Sequence, residues 1–236
     1  VFRMRFDIHE RLAMAETPNG AAYCDANVFQ EEVEKIFARQ WLCVPAPPTE
    51  NGAARPFRLL QGVLDESLVL TRDMEGITHC LSNVCTHRGM LVSLDEGPAK
   101  RLRCGYHGRR FGLDGTLEAA PGFDGAECFP RPEDDLPAVP LHRWGPIHFA
   151  SIQPTRDFRT WIEVLDPWLG FLDVDALVAD PSATLRFEVD ANWKLYLDNY
   201  LEGFHIPTVH KSLAAALDVA GYRSECFEGG SVQIGV

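Results

Sequence analysis

Apolar residues Phe29, Val33, Ile36 and Phe37 recur at spacings of three and four, which predicts a helix across 26–41 with Asn27 and Gln30 placed as a capping box. The pattern breaks at Val44-Pro-Ala-Pro-Pro48. From there to about 150, short runs of alternating residues are punctuated by Gly, Asp and Pro, the signature of strands joined by tight turns. Residues 67–72 and 77–81 read as a hairpin around Asp73-Met-Glu-Gly76, residues 111–117 carry the turn Gly112-Leu-Asp-Gly115, and 146–152 offer a last strand. Helical spacing returns over 158–172. Leu185, Phe187 and Val189 then alternate as in a half-buried strand, and 192–204 is again helical. The Ala- and Leu-rich run 212–220 predicts a packed helix, and 231–236 a strand still in progress at the last residue.

These changes of texture predict an α+β chain in three parts: a helical N-terminal arm (1–40), an all-β module (41–155) and the opening of an α+β unit (156–236). Composition leaves that picture intact, since 236 residues with 46% hydrophobic and 24% charged residues suit one or two globular domains. No run of about 18 apolar residues is present to span a bilayer. The first residues lack the apolar stretch of a secretory signal, so a cytoplasmic protein with no membrane partner is expected. The net charge is −12 and the basic clusters are short (Arg101 and Arg103, Arg109-Arg110), which argues against a nucleic-acid partner. Seven cysteines, an odd number without an oxidising compartment, make metal ligation the first chemical question.

Cys85-Thr-His87 and Cys104-Gly-Tyr-His107 each offer one thiolate and one imidazole, with sixteen residues between the pairs. A single zinc ion is one possible occupant, but zinc loops place two to four residues between paired ligands and the first pair here has one. Two mixed pairs on two loops suit two bridged irons better, with thiolates on one iron and imidazoles on the other. Gly89 and Gly108 follow the histidines and allow tight loops. Cys24, Cys43, Cys80, Cys128 and Cys226 have no ligand-like neighbour and are expected to pack as small apolar residues.

A second cluster lies in Asp198-Asn-Tyr-Leu-Glu202-Gly-Phe-His205-Ile-Pro-Thr-Val-His210, where Asp198, Glu202 and His205 share one helical face. A solvated polar face explains this without a metal. Gly203 and Pro207 break the helix, however, and can swing His210 toward His205. Two imidazoles and a carboxylate on three faces of a site leave positions open for oxygen, the facial triad of non-haem Fe(II) oxygenases.

Cys85-Thr-His-Arg-Gly89, Cys104-Gly-Tyr-His-Gly108 and Phe111-Gly-Leu-Asp-Gly115 closely resemble the Rieske domain of ring-hydroxylating and choline-monooxygenase-like oxygenase α subunits. Glu202-x-x-His205-x-x-x-x-His210 resembles the mononuclear-iron motif of the same family. The respiratory Rieske cysteines have no counterpart here, Met90 and Gly105 standing in their neighbourhood. Arg109 and Arg110 occupy places where the oxygenase loop usually has Trp and Thr, and Phe111 replaces a frequent Tyr. The resemblance implies a Rieske domain followed by the start of a helix-grip-like catalytic domain. Cys85, His87, Cys104 and His107 would hold a [2Fe–2S] cluster, and His205 and His210 a mononuclear Fe(II). Glu202, or alternatively Asp198, would bridge to a Rieske histidine, His107, of a neighbouring subunit in a homotrimer. The third iron ligand is expected beyond Val236, Asp218 being the only nearby alternative, so the residues read as the front of a longer subunit. Electrons would come from NAD(P)H through a separate reductase of flavin or ferredoxin type. With O₂ as co-substrate, a small organic substrate would be hydroxylated or N-demethylated, a small amine being favoured over an aromatic compound. A carrier without catalysis, a Rieske ferredoxin, is the rival reading, although it has no use for the second histidine pair.

Overall fold

The structure, a computed structural model, describes residues 8–218, 221–227 and 229–235. The chain divides into one unit of residues 30–183 and another in which the described residues up to 29 join those from 184 onward. Two short helices open the chain, α1 (Ala21–Cys24) and α2 (Ala26–Glu32). The carboxylate of Asp25 accepts the Asn27 amide at 2.7 Å, so Asp25 serves the helix start that the capping pattern assigned to Asn27. Helical backbone continues as a wider π-turn over Val33–Phe37 and stops there, short of the predicted residue 41.

The 30–183 unit is built from antiparallel strands: β1 (Leu42–Val44), β2 (Ala53–Leu59), β3 (Glu66–Arg72), β4 (Thr78–Ser82), β5 (Gly97–Pro98), β6 (Leu102–Arg103), β7 (Arg110–Phe111), β8 (Leu117–Ala119), β9 (Leu141–Trp144) and β10 (Ile147–Ala150). They form sheets of order β4-β3-β2-β5, β6-β7-β8 and β1-β10-β9. The predicted hairpin is β3–β4, with Val69 opposite Leu81 and Leu70 opposite Cys80. Strand β3 is buried on both faces because it serves two cores. Val69 packs with Ala54, Leu81, Phe111 and Leu136, whereas Leu68 and Leu70 point the other way, onto Leu59, Cys80 and Ala150. The first of these cores also contains Cys85 and Cys104. Buried Thr71 donates its hydroxyl to the Leu113 carbonyl at 2.5 Å, tying β3 to the turn after β7. Helix α3 (Phe158–Glu163) is capped by Asp157 and lays Phe158 against Trp41 and Phe149, and α4 (Asp166–Leu169) follows.

In the second unit, Leu185, Phe187 and Val189 form no strand: residues 184–191 lie outside helix and sheet, and the three side chains are exposed. Alternation suits a strand, but backbone groups need a neighbouring ladder, and among the described residues none pairs with this segment. Helix α5 (Trp193–Tyr200) is capped by Asn192 and ends four residues before the predicted boundary. It is followed by α6 (Ile206–Val209), α7 (Lys211–Ala216) and the hairpin β11 (Arg223–Phe227) and β12 (Gly230–Ile234). Of the predicted packed helix 212–220 only α7 is seen: it ends at Ala216, where Leu217 turns extended, none of its residues is buried, and Val219 and Ala220 lie outside the described residues. The predicted strand 231–236 is β12, with Val236 likewise outside. No helix among the described residues is long and apolar enough to cross a membrane.

Candidate metal centres

The two Cys-His loops are built to one plan. In each, the cysteine amide donates to the carbonyl five residues on, Cys85 to Met90 at 2.8 Å and Cys104 to Arg109 at 2.9 Å. In each, a glycine amide returns to the cysteine carbonyl, Gly89 to Cys85 at 3.0 Å and Gly108 to Cys104 at 3.2 Å. Gly89 and Gly108 have φ of 72° and 74°, a left-handed conformation that explains glycine at both places. The base of the first loop is clipped by Asn83, whose side-chain amide exchanges two hydrogen bonds with the Ser93 backbone, at 2.8 and 2.9 Å.

The plan puts both thiols on the apolar core and both imidazoles outside it. Cys85 and Cys104 are buried side by side; burial pushes the Cys85 thiol up, and the neighbouring Cys104 adds to the push. The rings of His87 and His107 lie edge to face with centroids 4.6 Å apart. Nδ1 of His87 is buried without a hydrogen-bond partner, an arrangement that costs free energy unless something else takes the lone pair. Burial, helped by the charge of Arg109, holds the His87 imidazole below the ordinary histidine range, which favours the neutral, ligating form. Two thiols buried side by side and two imidazoles 4.6 Å apart supply the donor set of a binuclear cluster, which asks two protein donors of each iron. Among the described residues no group of three or more His, Cys, Asp and Glu side chains is gathered closely enough to hold a metal ion. His107 is exposed, covered on one side by Tyr106 at 3.7 Å, and opens on a groove of about 800 Å³ flanked by Arg103 and Arg110.

Sequence reasoning missed the layer behind these loops. Arg109 is buried, reaches Thr86 of the first loop at 3.3 Å and Asp134 at 3.4 Å, and lies over the rings of Phe123 and Phe129. The sequence signal was the charged residue at a place where the resemblance leads one to expect Trp. The expectation that five cysteines pack as apolar residues holds for buried Cys80, whose thiol burial pushes up to about 12. Cys24 at the end of α1, Cys43 on β1, Cys128 and Cys226 on β11 are instead exposed.

In the second unit, α6 is flanked by the other two candidate histidines, His205 at its start and His210 at its end, with ring centroids 5.1 Å apart. Glycine is required just before it: a Cβ on Gly203 would lie 2.4 Å from the Tyr222 ring. Glu202 turns its carboxylate onto His205. One oxygen bonds the ring Nδ1, and the other accepts the backbone amides of Phe204 and His205. The His205 contact holds the Glu202 carboxyl below the usual range, and it leaves Nε2 of His205 free for a metal. Asp198 is engaged elsewhere, accepting the Tyr23 hydroxyl at 2.6 Å. Asp218 lies past the end of α7.

Residues 50–130 match the Rieske [2Fe-2S] domain family, and residues 174–230 match the catalytic domain of ring hydroxylating alpha subunits. The chain belongs to the Rieske oxygenase α subunits. Choline monooxygenase of Spinacia oleracea is 30% identical over 227 residues, which are 93% of this chain and 51% of that protein. The carnitine monooxygenase oxygenase subunit of Escherichia coli K12 is 33% identical over 205 residues, 85% of this chain and 54% of that subunit. Among solved structures, the quaternary ammonium Rieske monooxygenase CntA in complex with L-carnitine superposes with a TM-score of 0.68 at 26% identity. It covers 91% of this chain and 61% of its own. Naphthalene 1,2-dioxygenase of Rhodococcus bound to indole gives 0.63 at 26% identity, covering 85% of this chain and 47% of its own. The chain spans about half the length of the curated relatives it matches. The α subunit's two domains imply a [2Fe–2S] cluster and a mononuclear iron.

Proposed function

We propose that the full protein is the terminal component of an oxygenase that hydroxylates or N-demethylates a small organic substrate, most simply a quaternary ammonium compound. In this reading Cys85, Cys104, His87 and His107 hold the cluster and His205 and His210 the catalytic iron. Its main support is the unpartnered, buried Nδ1 of His87 together with the buried thiols of Cys85 and Cys104, in a chain that also brings His205 and His210 together. When bound, the two iron centres supply single electrons and activation of O₂. The protein's part is then positional. The apolar core behind Cys85 and Cys104 excludes water, and the duplicated loops fix where the imidazoles stand. Glu202 selects the tautomer of His205 through Nδ1.

His107 is the exposed histidine of the pair, and we assign it the exit toward Glu202 of the partner subunit in a homotrimer. A reductase of flavin or ferredoxin type delivers electrons from NAD(P)H. The cytoplasm is proposed as the compartment. The proposed parts are an arm over 1–40, a cluster domain over 41–155 and a catalytic portion over 156–236. The amine reading rests on the quaternary ammonium monooxygenase being the better structural match of the two; the naphthalene dioxygenase likeness keeps aromatic hydroxylation as the second reading.

Iron and acid-labile sulfide analysis with electron paramagnetic resonance (EPR) of the reduced full-length protein tests the cluster. Three irons per subunit, two of them in the cluster, and two sulfides are expected, and one zinc without sulfide defeats the assignment. Oxygen uptake with carnitine, choline and naphthalene separates the substrate classes. His205→Ala should abolish turnover while leaving the cluster spectrum in place, and retained turnover removes the mononuclear site from the account.

A further inference from the structure

Arg109 is an unusual residue to find at 3% exposure beside two ligand loops. Its backbone carbonyl closes the second loop by accepting the Cys104 amide, and its guanidinium reaches across to Thr86, which lies between Cys85 and His87 in the first. Phe123 touches both groups: its ring is 5.5 Å from the His87 ring and 4.9 Å from the guanidinium carbon. Phe129 covers the guanidinium from 5.3 Å. The only carboxylate in contact with Arg109 among the described ion pairs is Asp134, 3.4 Å away and itself half-buried. Nε of Arg109 has no hydrogen-bond partner, so the charge is only partly compensated. Two aromatic rings and the protein core keep water from screening the rest.

We propose that the buried guanidinium of Arg109 is a fixed positive charge that raises the reduction potential of the cluster held by Cys85, His87, Cys104 and His107, and that Asp134 limits the size of that effect. The inference rests on the ligand assignment above. Reduction adds one electron, supplied by the external reductase, and makes the cluster one unit more negative; a nearby fixed cation stabilises that state over the oxidised one. An arginine keeps its charge at every accessible pH, so the bias is permanent. Asp134 opposes it and also anchors the cation, its backbone carbonyl accepting the Thr86 hydroxyl at 2.6 Å.

The test is the midpoint potential of the loaded, full-length protein, followed by EPR during redox titration, for Arg109→Met, Arg109→Lys and Asp134→Asn. Arg109→Met should make reduction at least tenfold less favourable, a drop of about 59 mV for one electron. Asp134→Asn, which keeps an acceptor oxygen but removes the opposing charge, should shift the potential upward. Arg109→Lys should recover more than half of the loss, because charge rather than fork geometry is what counts. If Arg109→Met and Asp134→Asn move the potential in the same direction, or if both leave it within threefold of wild type in equilibrium constant, Arg109 is a packing residue and the proposal falls. Should Arg109→Met fail to retain a cluster, the opposite-sign shift demanded of Asp134→Asn still decides. A wild-type protein without any iron–sulfur signal overturns the ligand assignment beneath it instead.

Discussion

The carboxylate of Glu202 holds His205 by its Nδ1 while also accepting the His205 backbone amide at 3.3 Å. One side chain thus fixes both the ring and the backbone of a proposed iron ligand. A carboxylate in that place also makes the imidazole a better donor at its far nitrogen. Glu202→Ala in the full-length protein is expected to weaken Fe(II) binding at the catalytic site by roughly 10- to 100-fold. Glu202→Gln, whose amide oxygen can still accept from Nδ1, should lose less. Equilibrium metal binding checks this, with the cluster EPR signal unchanged as the control. Equal losses in both variants would show that orientation of His205 does not depend on this contact.

Gly115 closes the turn after β7 with φ of 92°, and a Cβ there would come within 3.0 Å of both the Leu136 carbonyl and a Leu81 methyl. Its own carbonyl accepts the Leu136 amide at 2.9 Å, which pins the segment bearing Asp134 to the core. Gly115→Ala should therefore cost roughly 1–3 kcal/mol, from strain in the left-handed region and from crowding. Urea unfolding of the 30–183 unit within the full chain measures it. A midpoint unchanged from wild type would mean the turn can relax without touching Leu81.

Asp73 sits at the β3–β4 turn, accepting the amides of Ile77 at 2.7 Å and Glu75 at 3.1 Å with one oxygen and meeting His79 Nε2 at 3.0 Å with the other. The His79 hydrogen bond, more than the backbone amides, holds its carboxyl below the ordinary range. A carboxyl lowered on folding contributes stability that is present above its unfolded value, about pH 4, and is lost as pH falls through the lower folded value. Wild type and Asp73→Asn should accordingly differ in denaturation midpoint at neutral pH and converge in acid. A constant difference across that range would place the effect of the substitution in packing rather than charge.

The hairpin, the two ligand loops and the histidine pair were legible because each depends on local grammar: turn glycines, alternation, and ligand spacing. The 184–191 segment was misread for the opposite reason. Leu185, Phe187 and Val189 have the alternation of a strand, but a strand exists only where a second one pairs with it, and spacing does not report that. Arg109 shows a further limit. Its charge was visible and its departure from the usual Trp was visible, yet its burial depends on Phe123, Phe129 and Asp134, which lie 14 to 25 residues downstream. Asp198 and Glu202 were alike as candidates on one helical face. They are separated by where the chain goes next: Asp198 meets Tyr23, 175 residues away in sequence, while Glu202 meets the residue three places on.

Asn192 joins two roles within the second unit. Its side-chain oxygen accepts the Lys194 amide at 3.0 Å, capping α5, and its side-chain nitrogen donates to the Tyr23 carbonyl at 3.0 Å. Tyr23 in turn donates its hydroxyl to Asp198 on the same helix, so residue 23 is held at two points along α5. Asn192→Ala removes the cap and the tether together and should cost about 1 kcal/mol, the usual worth of an N-cap. Asn192→Asp keeps the cap and loses only the donor. Hydrogen exchange read by mass spectrometry distinguishes them. The alanine variant should expose amides of both α1 and the first turn of α5, whereas the aspartate variant should loosen α1 alone. If both variants leave α1 protected, the Asn192 contact does not hold the arm, and the Tyr23 hydroxyl on Asp198 is sufficient by itself.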